Sequence, residues 1–182
     1  MKKFNIKNMA LCAMFAALSA VSAFIKIPSP IVPFTMQVFV VVLSGVLLGS
    51  RLGAISQALY VAIGLIGLPV FTTGGGLGYV FQPSFGYLFG FICGSFVAGF
   101  ITERIKKPSF LGYFLALIIT IIAVYIPGVI HLYIIKNLYL GTSMSIGKTL
   151  WYGAALFIPE DLITGIIAIL IALRIRPVIN NL

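Results

Sequence analysis

Two adjacent acids, Glu160 and Asp161, are the residues of this chain whose chemistry stands out. They begin the last apolar run, and the only other acid among the 182 residues is Glu103. A charged side chain inside a bilayer costs about 2.5–3.5 kcal/mol on insertion scales and usually marks a functional site. Neighbouring helical residues point in directions about 100° apart. We therefore expect Asp161 to face a helix bundle and bind a ligand, and Glu160 to reach the water interface without forming a carboxylate dyad.

The composition defines the surroundings of these acids. Hydrophobic residues make up 61% of the chain and charged residues 8%, with a mean hydropathy of +1.18. These values predict an integral membrane protein and leave no room for a soluble nucleotide-binding domain. The net charge of +9 does not predict nucleic-acid binding, because the basic residues lie between the apolar runs, where topology and lipid headgroups explain them.

Six apolar runs predict one domain over residues 1–182, an all-α bundle of six transmembrane helices. Proline and glycine clusters separate the runs and cannot continue a helix. The predicted spans are residues 9–25, 34–48, 52–68, 85–102, 111–135, and a sixth from 149 or 156 to 173.

Basic residues predict the orientation of this bundle in the plasma membrane. Alternate loops share a side, and the positive-inside rule places the side richer in lysine and arginine in the cytoplasm. One side carries three basic residues, namely Lys26, Lys136 and Lys148. The other carries nine, namely Lys2, Lys3, Lys7, Arg51, Arg104, Lys106, Lys107, Arg174 and Arg176. Both termini are therefore predicted to be cytoplasmic, and the start of the sixth span to face outside.

Two unusual loops fall on the same predicted outer side as Asp161. A proline loop contains Pro28, Pro30 and Pro33 and leads to Thr35 and Gln37, while residues 71–79 form a glycine-rich loop. The first loop is either a rigid connector or a source of polar groups for a ligand. The second is either a flexible turn or a lid, because glycine lets the backbone approach a ligand closely. Their convergence with Asp161 predicts a binding pocket open to the outside.

The first span carries small residues four apart, a spacing that stacks them on one helix face. Ala13 and Ala17 form one such pair, and Ala16 and Ala20 form another. Small residues allow another helix to approach closely in a membrane. The face is predicted either to pack inside this protein or to dock a second subunit.

The remaining reactive residue types do not form a catalytic set. His131, Cys12 and Cys93 are each predicted to be packing residues inside helices, and Glu103 a solvated ion-pair partner of Arg104. The sequence contains no Ser/His/Asp arrangement and no cluster with metal-ligand spacing. We therefore predict no enzyme activity and no metal.

Six segments of the chain form a recognisable series. They are PFTMQ (33–37), LLGSRLGAISQ (47–57), GLIGLPVF (64–71), GGGLG (74–78), QPSFGY (82–87) and IPEDLI (158–163). Together, in this order and over roughly residues 9–177, they resemble the BioY family, the membrane-embedded S-components that bind biotin in energy-coupling-factor (ECF) vitamin transporters. The resemblance implies a six-helix bundle with an external pocket and no ATPase or cofactor of its own. A transmembrane coupling subunit and two cytoplasmic ATPases, which use ATP, would be its partners.

The resemblance also implies a role for individual residues. Asp161 would accept hydrogen bonds from the two N–H groups of the ureido ring of biotin, since an ionised carboxylate only accepts. The rest of the implied binding site comprises Thr35, Gln37, Gly75, Gly76, Tyr87 and Thr164. The alanine face of Ala13, Ala16, Ala17 and Ala20 would dock the coupling subunit.

Two positions depart from the family pattern. The family often has lysine three residues after this aspartate, where this chain has Thr164, and can have a basic residue where this chain has Leu88. A related ligand such as lipoate therefore stays an alternative to biotin. The alternatives of another class are a self-sufficient ion-coupled carrier and a membrane-embedded enzyme. With one well-placed carboxylate, a proton path across the bilayer is the weaker hypothesis.

Overall fold

The computed structural model describes residues 6–27 and 31–180, which form a helical bundle. Lys2, Lys3, Pro28 and Pro30, used in the predictions above, lie outside the described residues. The α-helices are α1 (Ile6–Phe24), α2 (Gln37–Leu48), α3 (Ser50–Leu65), α4 (Phe85–Thr102), α5 (Phe110–Ile134), α6 (Ile146–Leu150) and α7 (Ile158–Asn180). A 3₁₀ helix covers Leu77–Phe81, and π-helical turns cover Ile135–Tyr139 and Trp151–Ala155.

The predicted all-helical membrane bundle is confirmed, although its helices differ in length. In the part of the chain that the structure describes, four segments are long and apolar enough to cross a membrane, namely Ile6–Phe24, Phe85–Thr102, Phe110–Tyr139 and Ile146–Arg176. The 12 residues of α2 and the 16 of α3 are shorter than the predicted runs. At a rise of 1.5 Å per residue, they extend about 18 and 24 Å. The α2 helix starts late because residues 34–35 form a strand, and α3 ends before Gly67, whose φ is 117°.

A two-stranded antiparallel ribbon connects α1 to α2, which the sequence did not predict. Strand β1 (Lys26–Ile27) pairs with β2 (Phe34–Thr35), so that Lys26 lies opposite Thr35 and Ile27 opposite Phe34. The ribbon brings the two ends of the proline loop together. We call this end of the bundle the ribbon end.

Small residues bring α2 and α4 into close contact. A Cβ atom added at Gly45 would lie 2.7 Å from the Cβ of Ala98 and 3.0 Å from the backbone N of Gly99. Beside this crossing, Ser44 and Ser95 share a 2.8 Å hydrogen bond, and the side chain of Gln57 donates to the hydroxyl of Ser44. Buried hydroxyl and amide groups thus link helices whose apolar surfaces resemble the lipid itself.

The opposite end of the bundle contains Glu103, whose predicted role as an ion-pair partner of Arg104 is corrected. Its two carboxylate oxygens accept the backbone N–H and the hydroxyl of Ser50, each at 2.9 Å. Glu103 therefore caps the N-terminus of α3, where a negative charge is stabilised. The side chain of Arg104 instead donates to the carbonyl of Phe100 and lies over its ring.

The C-terminal helix closes the same end. Arg176 of α7 donates to the carbonyl oxygen of Thr102, at 3.0 Å, and to the hydroxyl of Tyr113. These bonds join α7 to the end of α4 and the start of α5. The α7 helix continues through Pro177 to Asn180, whereas the sequence predicted an end at residue 173.

The packing roles predicted for the histidine and the two cysteines are confirmed. A ring nitrogen of His131 lies 3.2 Å from the carbonyl oxygen of Gln82, and its ring contacts that of Phe85. Cys12 is buried, Cys93 is partly buried, and both are free thiols.

Candidate functional site

Asp161 lies in the first turn of α7 and is only 3% exposed. The hydroxyl of Tyr125, on α5, donates to its Oδ2 atom, whereas Oδ1 makes no hydrogen bond to any residue that the structure describes. A helix N-terminus carries partial positive charge, which stabilises a carboxylate at this position. The protein therefore holds one oxygen in place and leaves acceptor capacity on the other.

A cavity at the ribbon end reaches Asp161. It contains about 550 Å³ of space unoccupied by atoms, part of it open to solvent. We call it the ribbon-end cavity. Its lining consists of Val32, Pro33, Thr35, Gln37, Val38, Thr72, Tyr79, Ser84, Tyr87, Leu88, Phe91, Val124, Tyr125, Phe157, Glu160 and Asp161.

One wall of the cavity is polar and comes from β2 and the start of α2. The hydroxyl of Thr35 donates to the side-chain oxygen of Gln37, and the amide of Gln37 donates to the hydroxyl of Tyr60 at 2.9 Å. Tyr60 in turn donates to the carbonyl of Val70. This chain of hydrogen bonds fixes the Gln37 side chain and connects the ribbon to α3 and the loop after it.

A second polar wall comes from the glycine-rich loop and the start of α4. The hydroxyls of Thr72 and Tyr79 are 2.8 Å apart, and the hydroxyl of Ser84 is 3.2 Å from that of Tyr79. Lys26 adds a bond from outside the lining, since its ammonium donates to the carbonyl oxygen of Thr72. Hydroxyl groups can donate or accept, so this wall can bind either hydrogen-bond donors or hydrogen-bond acceptors of a ligand.

The rest of the cavity is apolar and aromatic. Phe157 packs on Phe34 with ring centroids 4.3 Å apart, and the ring of Tyr87 meets that of Tyr125 edge-on at 5.9 Å. The hydroxyl of Tyr87 points away from solvent and donates to the carbonyl of Gly153, at 2.6 Å. The rings therefore hold Tyr125 and its bond to Asp161 in position.

The structure brings four of the predicted ligand residues together, namely Asp161, Thr35, Gln37 and Tyr87. The other three predicted residues are not in the lining. Thr164 is half-buried one turn further along α7, where its hydroxyl lies 3.4 Å from the backbone carbonyl oxygen of Asp161.

Gly75 and Gly76 hold the loop against the end of α3. A Cβ atom at Gly75 would be 3.0 Å from the carbonyl oxygen of Gly64, and the N–H of Gly76 donates to that same oxygen at 2.7 Å. The loop is further closed by the pairing of Phe71 with Gly74. In this structure the two glycines therefore support the wall carrying Thr72 and Tyr79 and do not cover the cavity.

Glu160 differs from the expectation that only one of the two acids faces the site. It is half-buried and lines the cavity together with Asp161. Their side chains diverge along the helix, yet the cavity is wide enough to meet both. The described lining thus contains two carboxylates and no lysine or arginine, and Leu88 adds an apolar side chain where the family can have a basic residue.

The four alanines of α1 do not form one surface. Ala16 is 3% exposed and belongs to the core, and Ala20 is partly buried against it. Ala13 and Ala17 are exposed. Packing inside the protein therefore accounts for one pair, and only Ala13 and Ala17 are accessible to a second subunit.

Tyr125 is a candidate site residue that was not predicted from the sequence. A tyrosine inside an apolar span needs a partner for its hydroxyl, and the acids Glu160 and Asp161 begin the next long span. That pairing rule was the available signal.

Among residues 6–27 and 31–180, no group of three or more His, Cys, Asp or Glu side chains is placed to hold a metal ion.

Comparison with known proteins identifies the family of this chain. Residues 1–181 match the sequence model of the BioY family. A probable biotin transporter BioY of Lysinibacillus sphaericus is 42% identical over 100% of this chain and 92% of its own. The biotin transporter BioY of Thermotoga maritima is 40% identical over 94% of this chain and 96% of its own.

A solved structure has the same fold. It is the crystal structure of the S-component for biotin from an ECF-type ABC transporter, with a TM-score of 0.82 and 28% identity. The similarity covers 94% of this chain and 92% of the other. Sequence and fold agree over nearly the full length, and the chain belongs to the BioY family.

Proposed function

We propose that this chain is the biotin-binding S-component of an ECF-type transporter. The observation that carries the proposal is the Asp161 carboxylate, which is buried at the wall of the ribbon-end cavity with one oxygen held by Tyr125. The names of the related proteins, and their similarity over nearly the whole chain, support biotin as the ligand.

Recognition of the ureido ring follows from the chemistry of a carboxylate. The ring offers two N–H donors side by side, and Asp161 offers acceptor sites on two oxygens. Hydrogen bonds to an ionised acceptor are roughly twice as strong as those between neutral groups. Oδ1 and the remaining lone pair of Oδ2 receive the two donors, while Tyr125 keeps the carboxylate oriented.

The other walls complete the binding site. The apolar side chains of Leu88, Phe91 and Val124 surround the sulfur ring and the hydrocarbon tail of biotin. Thr35 supplies a hydroxyl from the ribbon, and Gln37 holds that hydroxyl in place. The hydroxyl of Thr164 bonds the backbone carbonyl of Asp161 and so supports that residue without contacting the ligand. Gly75 and Gly76 contribute indirectly, because they hold the glycine-rich loop against the end of α3.

Transport requires partners that bind elsewhere on the chain. We infer that a transmembrane coupling subunit and cytoplasmic ATPases drive uptake, with ATP used by the partners and no cofactor in this chain. Ala13 and Ala17, exposed on α1, are the surface we assign to the coupling subunit. The protein lies in the plasma membrane with the ribbon end outside and both termini in the cytoplasm, in accord with the distribution of basic residues. We assign it binding and transport and no enzyme activity.

Binding by the purified protein tests this proposal. Isothermal titration of the detergent-solubilised chain should give saturable binding of biotin with one site per chain, and unlabelled lipoate should not displace labelled biotin. Displacement by lipoate at equal concentration would assign the cavity to another carboxylated vitamin. Uptake of biotin by proteoliposomes holding this chain alone, driven by a proton gradient, would favour a self-sufficient carrier.

A further inference from the structure

The ribbon-end cavity lacks a counter-charge for an anionic ligand. Biotin carries a carboxylate at the end of its tail, and the described lining contributes two further carboxylates, Glu160 and Asp161. Placing like charges together in a partly desolvated site is unfavourable and selects against an anion. A cation close to the lining would offset this repulsion and favour binding of a charged tail.

Lys26 is the cation that reaches the lining. Among residues 6–27 and 31–180, it is the one basic side chain with a hydrogen bond to a lining residue, since its ammonium donates to the carbonyl of Thr72. The position of Lys26 in the ribbon is a second observation that places it close to the lining. Lys26 pairs with Thr35, and directly opposed residues of an antiparallel pair project to the same face. Thr35 and Thr72 both line the cavity, so Lys26 lies next to two lining residues although it is not one of them.

Two other lysines at this end serve a different surface. Lys136 and Lys148 line a separate, open depression of about 690 Å³ beside Ile31 and Tyr152. Neither belongs to the lining of the ribbon-end cavity. They are therefore matched controls, with the same charge at the same end of the bundle.

We propose that Lys26 binds the carboxylate of the ligand at the cavity rim and makes the protein selective for the ionised tail. An ammonium has three donors, and the bond to Thr72 uses one of them. No other described residue accepts from this ammonium, so two donors can bind a carboxylate. The ureido ring then meets Asp161, held on the α5–α7 side, while the tail meets Lys26 on the side of the ribbon. This inference rests on the proposed function and deepens it.

A comparison of biotin with biotin methyl ester tests the role of Lys26. The ester keeps the ureido ring and removes the negative charge, so the ratio of the two dissociation constants isolates the tail. The unmodified protein should bind biotin about tenfold or more tighter than the ester, the value of one charge-assisted hydrogen bond. In Lys26→Met the ratio of the two dissociation constants should fall to near unity, because biotin binds more weakly while binding of the ester is unaffected. Lys26→Arg should retain the preference for biotin.

The outcomes separate the alternatives. Lys136→Met and Lys148→Met should keep the preference for biotin. An unchanged ratio in Lys26→Met, or equal weakening of both ligands, would overturn the proposal and leave Lys26 as a structural link to Thr72. Loss of the ratio in Lys136→Met or Lys148→Met would overturn it in favour of the neighbouring depression. Failure of the unmodified protein to bind either ligand would instead refute the proposed function.

Discussion

The hydrogen bond from Tyr125 to Asp161 yields a quantitative prediction about how the site is held together. Tyr125→Phe removes the hydroxyl and leaves the buried carboxylate without its donor. Hydrogen bonds to charged groups contribute about 1.5–3 kcal/mol. We therefore expect the free energy of unfolding to fall by about 1.5–3 kcal/mol, since the ring remains and only one oxygen atom is lost.

A double-mutant cycle separates this bond from other effects of the substitution. In an Asp161→Ala background, the tyrosine hydroxyl has no carboxylate to meet, so Tyr125→Phe should cost close to nothing. The coupling free energy between the two positions should equal most of the single-variant cost, about 1.5–3 kcal/mol. Equilibrium unfolding in mixed micelles, without ligand, measures all four corners of the cycle.

Biotin binding by Tyr125→Phe supplies the second readout. The hydroxyl bonds Asp161 both with and without ligand in our account, so its removal should weaken binding by less than about tenfold, a cost of lost orientation. An equal cost of Tyr125→Phe in both backgrounds would refute the reasoning. Complete loss of binding with unchanged stability would also refute it, because Tyr125 would then act on the ligand directly.

Three further substitutions test the fold and the partner surface. Gly45→Ala should lower the free energy of unfolding by about 1–3 kcal/mol, because the added Cβ has no room between α2 and α4. Gly147→Ala should not lower it, because no atom lies within 4 Å of the added Cβ. Equal effects of the two substitutions would contradict the close helix crossing. Ala17→Trp should leave biotin binding unchanged and abolish uptake with the coupling subunit and ATPases, and normal uptake would exclude that docking surface. Glu103→Ala should cost about 1 kcal/mol in unfolding free energy through the lost cap at Ser50, and no cost would show the cap to be inert.

The sequence predicted the helical bundle because membrane spans follow from apolar runs alone. It also predicted that Asp161 faces the inside of the bundle, since an acid in such a run needs a use. The β1–β2 ribbon was missed because two-residue strands have no periodicity to detect. The sequence could not predict that Ala16 is buried while Ala17 is exposed, because lipid and a neighbouring helix are both apolar surroundings.

The features of the site that could not be predicted from the sequence also depend on tertiary packing. Tyr125 and Asp161 are 36 residues apart, and only tertiary packing decides that they meet. Gly75 was predicted to act near the ligand, yet in the structure it fits against the end of α3, a role that equally requires the absence of a side chain. Lys26 was counted only for topology, because its proximity to Thr72 depends on the ribbon that the sequence did not reveal.

Recognition of the ureido ring by the Asp161 carboxylate can be tested with two variants. Asp161→Asn keeps the shape of the side chain and removes its charge, and Glu160→Gln is the matched control one residue away in the same lining.

The most direct measurement is the dissociation constant of biotin for both purified variants, determined by titration calorimetry beside the unmodified protein. We predict that Asp161→Asn weakens binding by at least about 100-fold, since two charge-assisted hydrogen bonds are lost, while Glu160→Gln changes it by less than about tenfold. Undiminished affinity in a folded Asp161→Asn protein would contradict the account.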